Sequence, residues 1–231
     1  MTKRYAIYFA PPATSPLWQF GCRWLGRDAE QDCLLPRFSV PGFNREEIEK
    51  LTAPPRVYGF HGTLKPPFLL VKGNPELELH DALQSFAQGM RPFTLPLLQL
   101  DRIRGFFALH TTTRCEALHR LADSCVEQFD RFRRVSEESE LRGRRIVGLT
   151  ERQEALLEQY GYPYVFDQFH FHLTLTERLD NETAARLRPW LEFELGAVLT
   201  QPESVRELCL FVQDKAGDMF RIERRLAFGS A

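Results

Sequence analysis

The sequence has no excess of positive charge, no long apolar run and no paired-cysteine motif. Its 30 Lys and Arg stand against 31 Asp and Glu, a net charge of −1. Coating long nucleic acid requires a basic surface, so that role is disfavoured, whereas a small anionic ligand held by a few local groups is not. The five cysteines (Cys22, Cys33, Cys115, Cys125 and Cys209) are odd in number and widely spaced. They argue against a secreted disulfide framework and for reduced thiols in a cytosol. No stretch of about 18 uncharged apolar residues is present, so no membrane span is expected. The run Tyr5–Ala10 is too short for a signal-peptide core and reads as a strand. A cytoplasmic protein without membrane association is the expectation.

What is present is ordinary globular composition, 43% hydrophobic and 26% charged over 231 residues. That length can bury a core without disulfides or metals, as one large domain or two small lobes. Along the chain, Tyr5–Ala10 is followed by a helix over Ser15–Leu25, with Ser15 as N-cap and Pro16 at the first helical position. A second helix covers Asn44–Leu51, with Asn44 and Glu47 as a capping box. Arg56–Lys65 reads as a strand between two proline pairs, Glu76–Met90 as a helix and Phe93–Leu100 as a strand. The second half repeats this order: strand Ile103–His110, helices Arg114–Arg134 and Thr150–Tyr160, strand Phe169–Thr176, helix Asn181–Leu195. Strands Ser204–Gln213 and Met219–Phe228 then form a hairpin. The expectation is an α+β fold duplicated within one domain, with pseudo-repeat lobes of about 1–101 and 102–231.

The six histidines include two in one pattern, His-x-Thr-Leu: His61-Gly62-Thr63-Leu64 and His172-Leu173-Thr174-Leu175. Both lie in expected strands at corresponding places in the two halves. Alternation puts Phe60, Gly62 and Leu64 on one face, and His61, Thr63 and Lys65 on the other. In the second copy Phe171, Leu173 and Leu175 oppose His170, His172, Thr174 and Thr176. If the halves pack pseudo-symmetrically, the polar faces line one cleft. Imidazoles titrate near neutrality. One could take a proton from an attacking water or hydroxyl while the other gives a proton to a leaving oxygen. Thr63, Thr174 and Lys65 could hold the non-bridging oxygens of a phosphate ester. This scheme requires no metal or other cofactor.

Plainer readings compete at several positions. The threonines are also good strand formers, Lys65 could be a solvated strand-end charge, and Tyr58 falls on the expected core face. His170 and His172 share a strand face and could begin a zinc site if a third ligand lies elsewhere. The alternative given to His170 is a supporting, substrate-side role. His110, in His110-Thr111-Thr112-Thr113, lacks the Leu. His80 and His119 fall on helices and read as surface residues. Arg131–Arg145 is arginine-rich, either a solvated helix end or a basic lip over an anion site. A cleft that binds a phosphate ester or RNA end without turnover is a further alternative.

The paired motifs, with "RYAIYFAPP", "SPLWQFGCRWLGRD", "YGFHGTLKPPF" and "FHFHLTLT", resemble the two-histidine (2H) phosphoesterase superfamily, in a branch found with phosphonate-utilisation operons. The resemblance runs over nearly the whole chain. It implies a bilobal α+β fold, with two antiparallel-rich sheets facing a central cleft and helices outside. It implies His61 and His172 as the acid–base pair and Thr63 and Thr174 as phosphate ligands. The implied activity is that of a metal-independent phosphoesterase or cyclic phosphodiesterase acting on a small phosphorylated metabolite, such as a cyclic phosphate, in phosphonate utilisation.

Overall fold

The structure, a computed structural model, describes residues 3–73, 76–145 and 148–229. Its spine is β1 (Arg4–Phe9), in which Tyr5 to Phe9 are each no more than 2% exposed. A strand flanked on both faces carries a continuous apolar run, and this one does. The chain then forms α1 (Pro16–Leu25), with the Ser15 hydroxyl accepting the Trp18 N–H and left-handed Gly26 closing the helix. A small hairpin follows, β2 (Arg27–Asp28) and β3 (Cys33–Leu34).

The capping box of Asn44 and Glu47 starts α2 (Arg45–Tyr58). This helix runs through Pro54 and Pro55, where a strand was expected from Arg56. Proline's fixed φ suits a helix even though each ring removes a donor. The extra turn is held from outside: Phe220 N–H donates to Val57 O, and Tyr58 stacks on Phe220 at 5.3 Å. The motif strand β4 (Gly62–Leu69) therefore begins one residue after His61.

Next come α3 (Glu76–Gly89), β5 (Phe93–Thr94), β6 (Leu98–Ile103) and β7 (Phe106–Thr111). The single long helix expected over Arg114–Arg134 is shorter, α4 (Glu116–Phe129), and ends in a 3-10 turn. The remainder is α5 (Glu138–Arg145), α6 (Glu151–Tyr160), β8 (Leu173–Arg178), α7 (Asn181–Val198), β9 (Ser204–Val205), β10 (Glu207–Gln213) and β11 (Arg221–Ala227). Thr150 and Gln153 form the expected capping box of α6. Like β4, β8 starts one residue after its histidine. Among the described residues no helix is long and apolar enough to cross a membrane.

The architecture is α+β. Seven strands form one antiparallel sheet in the order β11-β10-β1-β4-β8-β7-β6. The two expected antiparallel units are its half-sheets, β11-β10-β1-β4 and β8-β7-β6. They join through one registered pair, Gly62 opposite Leu173. The chain does not divide between them at residue 101, because β10 and β11 add to the β1–β4 half while β6 adds to the other. Helices cover the sheet, α4 packing on β4 and α2 on β8.

Each motif strand is interrupted just after its threonine. Tyr8 faces Thr63 while Ile7 faces Lys65, so Leu64 is the extra residue of a β-bulge. In β8, Thr174 faces Ala108 but Arg178 faces Phe106, a larger register shift. Thr176 fills that gap: its Oγ1 accepts the Phe107 N–H at 2.9 Å and donates to Glu177 O at 2.8 Å. Thr176→Val would leave the Phe107 donor buried and unpaired, at a cost of about 1–3 kcal/mol. Urea unfolding should show that loss as a lower midpoint with an unchanged slope.

Candidate active site

The two half-sheets overlap only at the first residues of β4 and β8, which run away from each other. Carried one residue outward, the Gly62–Leu173 register sets His61 across from Thr174 and Thr63 across from His172. All four share one face of the sheet, with the two imidazoles on a diagonal of about 7–8 Å between backbones. Gly62 makes this crossing possible. A Cβ there would lie 2.3 Å from the Phe171 ring, which seals the opposite face.

Each histidine is held by the same local device. His61 Nδ1 lies 2.9 Å from Gly59 O, and His172 Nδ1 lies 2.8 Å from His170 O. A carbonyl only accepts, so in both rings Nδ1 carries the proton and Nε2 offers its lone pair to the cleft. Thr63 Oγ1 sits 3.3 Å from His61 Nε2 and can donate to it. Gly59 has φ 79 and ψ 175, a conformation essentially confined to glycine, and that conformation aims its carbonyl.

The surroundings are apolar. His61 stacks on Tyr8 with ring centroids 3.8 Å apart and has Tyr58 at 6.1 Å. His172 lies 5.6 Å from the Phe106 ring. Burial, and then the charge of His172, pushes the His61 pKa down to about 4, against the raising effect of the Gly59 carbonyl. Burial chiefly lowers His172 as well, helped by His170, Arg104 and His110. Burial thus favours the neutral form of both rings at neutral pH.

Of the residues singled out from sequence, His61, Thr63, His172 and Thr174 come together. Lys65 does not. The bulge at Leu64 breaks the alternation, so Lys65 points to the helix side. It is 2% exposed there, its ammonium 3.2 Å from both Val126 O and Asp130 Oδ1. His170 contributes its carbonyl, and its imidazole is on an exposed residue. Among the described residues the ligand-like grouping is Glu76, His80 and Glu223, which includes neither His170 nor His172. His80 and His119 are half-buried on α3 and α4. His110 lies on the cleft face two residues from Ala108, the partner of Thr174, with Nε2 3.6 Å from Asp101. Tyr58 borders the cleft and is not confined to the core, while Arg56 lines a separate cavity with Arg37.

Arg104, Tyr162 and Tyr164, which the residue pattern did not single out, join part of the arginine-rich segment. Arg104 occupies the β6–β7 turn with φ 49, an unusual conformation for a long side chain. Its guanidinium covers the Tyr164 ring at 4.7 Å. Tyr164 meets Tyr162 edge-on at 5.6 Å, and Arg144 covers Tyr162 at 5.1 Å. The arginine-rich segment is thus mixed. Arg133, Arg134 and Arg145 are tied into ion pairs, while Arg144 joins this wall. The available signal was the close spacing of Tyr162 and Tyr164 around Pro163.

Residues 63–221 match the family described as "Protein of unknown function (DUF1045)". Two curated proteins named ribose 1,5-bisphosphate phosphokinase PhnN are similar. The one from Janthinobacterium sp. (strain Marseille) is 34% identical over 229 residues, 97% of this chain and 51% of that protein. The one from Laribacter hongkongensis (strain HLHK9) is 34% identical over 223 residues, 96% and 51% respectively. The chain spans about half the length of these relatives. Among solved structures, E. coli LigT complexed with 3'-AMP covers 99% of both chains at 17% identity and TM-score 0.48. A structure described as a phosphoesterase covers 99% of both chains at 17% identity and TM-score 0.42.

The carbonyl device separates two substitutions. Gly59→Ala forces a side chain into a glycine-only conformation and places Cβ 2.7 Å from the Ala29 Cβ. It should cost more than about 1 kcal/mol in unfolding measurements and shift the His61 imidazole resonances in NMR. His170→Ala keeps the carbonyl and should leave the His172 ring resonances in the same tautomeric pattern.

Proposed function

The chain belongs to the DUF1045 family, and we propose that it is a 2H-type, metal-independent phosphoesterase that opens a cyclic phosphate of a small phosphorylated metabolite. The observation that carries this reading is the duplicated geometry. Two imidazoles, each with Nδ1–H fixed on the carbonyl two residues back, present Nε2 on one sheet face beside two threonine hydroxyls.

In the reaction, the phosphate lies between the rings. A neutral Nε2 takes a proton from water as its oxygen forms the new P–O bond. The other ring, protonated, gives its Nε2 proton to the oxygen that leaves phosphorus, and the ring of the cyclic ester opens. Thr63 and Thr174 donate to non-bridging oxygens, where charge concentrates in the transition state. The dry walls made by Tyr8 and Phe106 strengthen these interactions. One proton exchange with solvent restores the starting pair.

The names of the longer relatives favour a sugar substrate. Ribose 1,5-bisphosphate is what a cyclic phosphate on a ribose phosphate becomes after hydrolysis, so an esterase of this kind would supply such a kinase, in line with a role in phosphonate utilisation. We assign the esterase side to this chain, whose sequence has no Gly-x4-Gly-Lys-Ser/Thr phosphate loop. The buried free thiols of Cys22, Cys115, Cys125 and Cys209 fit a reducing, cytoplasmic setting. Small size of ligand also fits the near-zero net charge, with no long nucleic acid and no membrane as partner.

His61→Ala and His172→Ala should each lower kcat by about 10²–10⁴, with circular dichroism unchanged, when ring opening is followed by phosphorus NMR. Retained turnover in both variants would overturn the reading, and binding of intact cyclic phosphate without product would favour a binding protein. Because burial favours the neutral form of both rings, one proton must be taken up for catalysis. The rate at low substrate, kcat/KM, should therefore fall as pH rises through neutrality, since His172 lies below its ordinary 6.5. A chelator should leave the rate unchanged.

A further inference from the structure

We propose that the pocket between Arg4 and Arg144 is a second anion subsite that holds a phosphate remote from the reacting one. This rests on the phosphoesterase reading and narrows its substrate to a small bisphosphorylated ester.

The pocket has a volume of about 230 Å³ and is lined by Arg4, Arg133, Arg134, Ser136, Glu140 and Arg144, among others. Its charges do not cancel. Arg133 is spent on Asp130 through two nitrogens, at 2.7 and 3.1 Å. Arg134 is spent on Glu137 and Glu140, at 3.0 and 2.7 Å. Arg4 and Arg144 are different, because their acceptors are neutral. Arg4 Nε donates to Gln213 Oε1 at 2.6 Å, and Arg144 Nη1 donates to Gly161 O at 2.6 Å. Neither guanidinium pairs with a carboxylate among the described residues. Two like charges thus face one small pocket, each pinned in place by a polar but uncharged group. A phosphate monoester carries about −1.5 to −2 at neutral pH, which matches two guanidiniums whose remaining N–H groups are free to fork onto its oxygens.

The pocket also lies in the right place. Arg4, Ala6 and Tyr8 alternate onto one face of β1, and Tyr8 is the residue stacked on His61. Four residues of strand span about 13 Å. The Arg4 guanidinium covers the Phe220 ring at 5.3 Å, Phe220 stacks on Tyr58 at 5.3 Å, and Tyr58 lies 6.1 Å from His61. The second subsite is therefore on the His61 flank of the cleft. Arg104 stands at the other end of the Tyr162–Tyr164 wall from Arg144.

The test uses two matched substrates, a 2′,3′-cyclic nucleotide with and without a 5′-phosphate, and one inert ligand, ribose 5-phosphate. The unmodified protein should prefer the 5′-phosphorylated ester by about 100-fold in kcat/KM. Arg4→Met and Arg144→Met should each cut that preference by at least about tenfold, whereas Arg142→Met, on the exposed side of α5, should keep it. Calorimetry should show ribose 5-phosphate binding in the unmodified protein and in His61→Ala, and its loss in Arg144→Met. Turnover without any preference, or equal losses on both esters, would overturn the subsite while leaving the esterase intact. The same binding pattern with no turnover of either ester would overturn the esterase and leave the subsite standing.

Discussion

The site depends on one crossing, the pair of Gly62 and Leu173 at which two half-sheets meet by their strand beginnings. Antiparallel strands that overlap fully would set their histidines far apart, one at each end of the ladder. Strands that overlap at one residue bring both beginnings to the same point. Each motif then contributes one ring and one hydroxyl to a four-residue patch. The crossing requires a residue without a side chain, because Phe171 fills the space below it. The glycine inside the first motif is thus a packing requirement.

Burial sets the chemistry of that patch. Neutral rings in a dry cleft are poor at holding a resting charge, and this is why both pKa values fall. An incoming phosphate reverses the balance. Its negative charge favours a protonated ring, so the proton needed by the leaving oxygen is recruited by the substrate itself. A cleft built this way spends little on keeping a charged acid ready. It also makes cationic side chains around the patch useful as guides, because they offset the substrate's charge without competing for the proton. Arg104 and Arg144, at the two ends of the Tyr162–Tyr164 wall, have that arrangement.

Much of the fold was legible from local signals. The Ser15, Asn44 and Thr150 caps mark α1, α2 and α6, because capping is a chemical requirement of a helix end. The motif strands were legible in kind but not in extent. A proline pair reads as a break, yet α2 passes through Pro54 and Pro55 because Phe220 supports the last turn, and Phe220 is far away in sequence. Lys65 failed for a related reason. Period-two alternation is a rule for regular strands, and nothing in Thr63-Leu64-Lys65 announces a bulge that depends on the partner strand. The aromatic and arginine wall lies on loops and a short helix, where residue spacing carries little geometric information.

The duplication is most exact where the two halves share no side chain. Gly59 and His170 occupy the same place, and sequence comparison sets a glycine against an imidazole. Both supply a carbonyl to the ring two residues on. Four residues after each histidine, Lys65 and Thr176 are unlike in chemistry but are both buried polar groups beside a strand irregularity, Lys65 bonded to the end of α4 and Thr176 to β7. Backbone geometry is what the two copies have in common at these positions, and the side chains fill the space each half leaves. An extra histidine beside a motif histidine is therefore weak grounds for a metal site here, since the position's duty is done by an atom that every residue possesses.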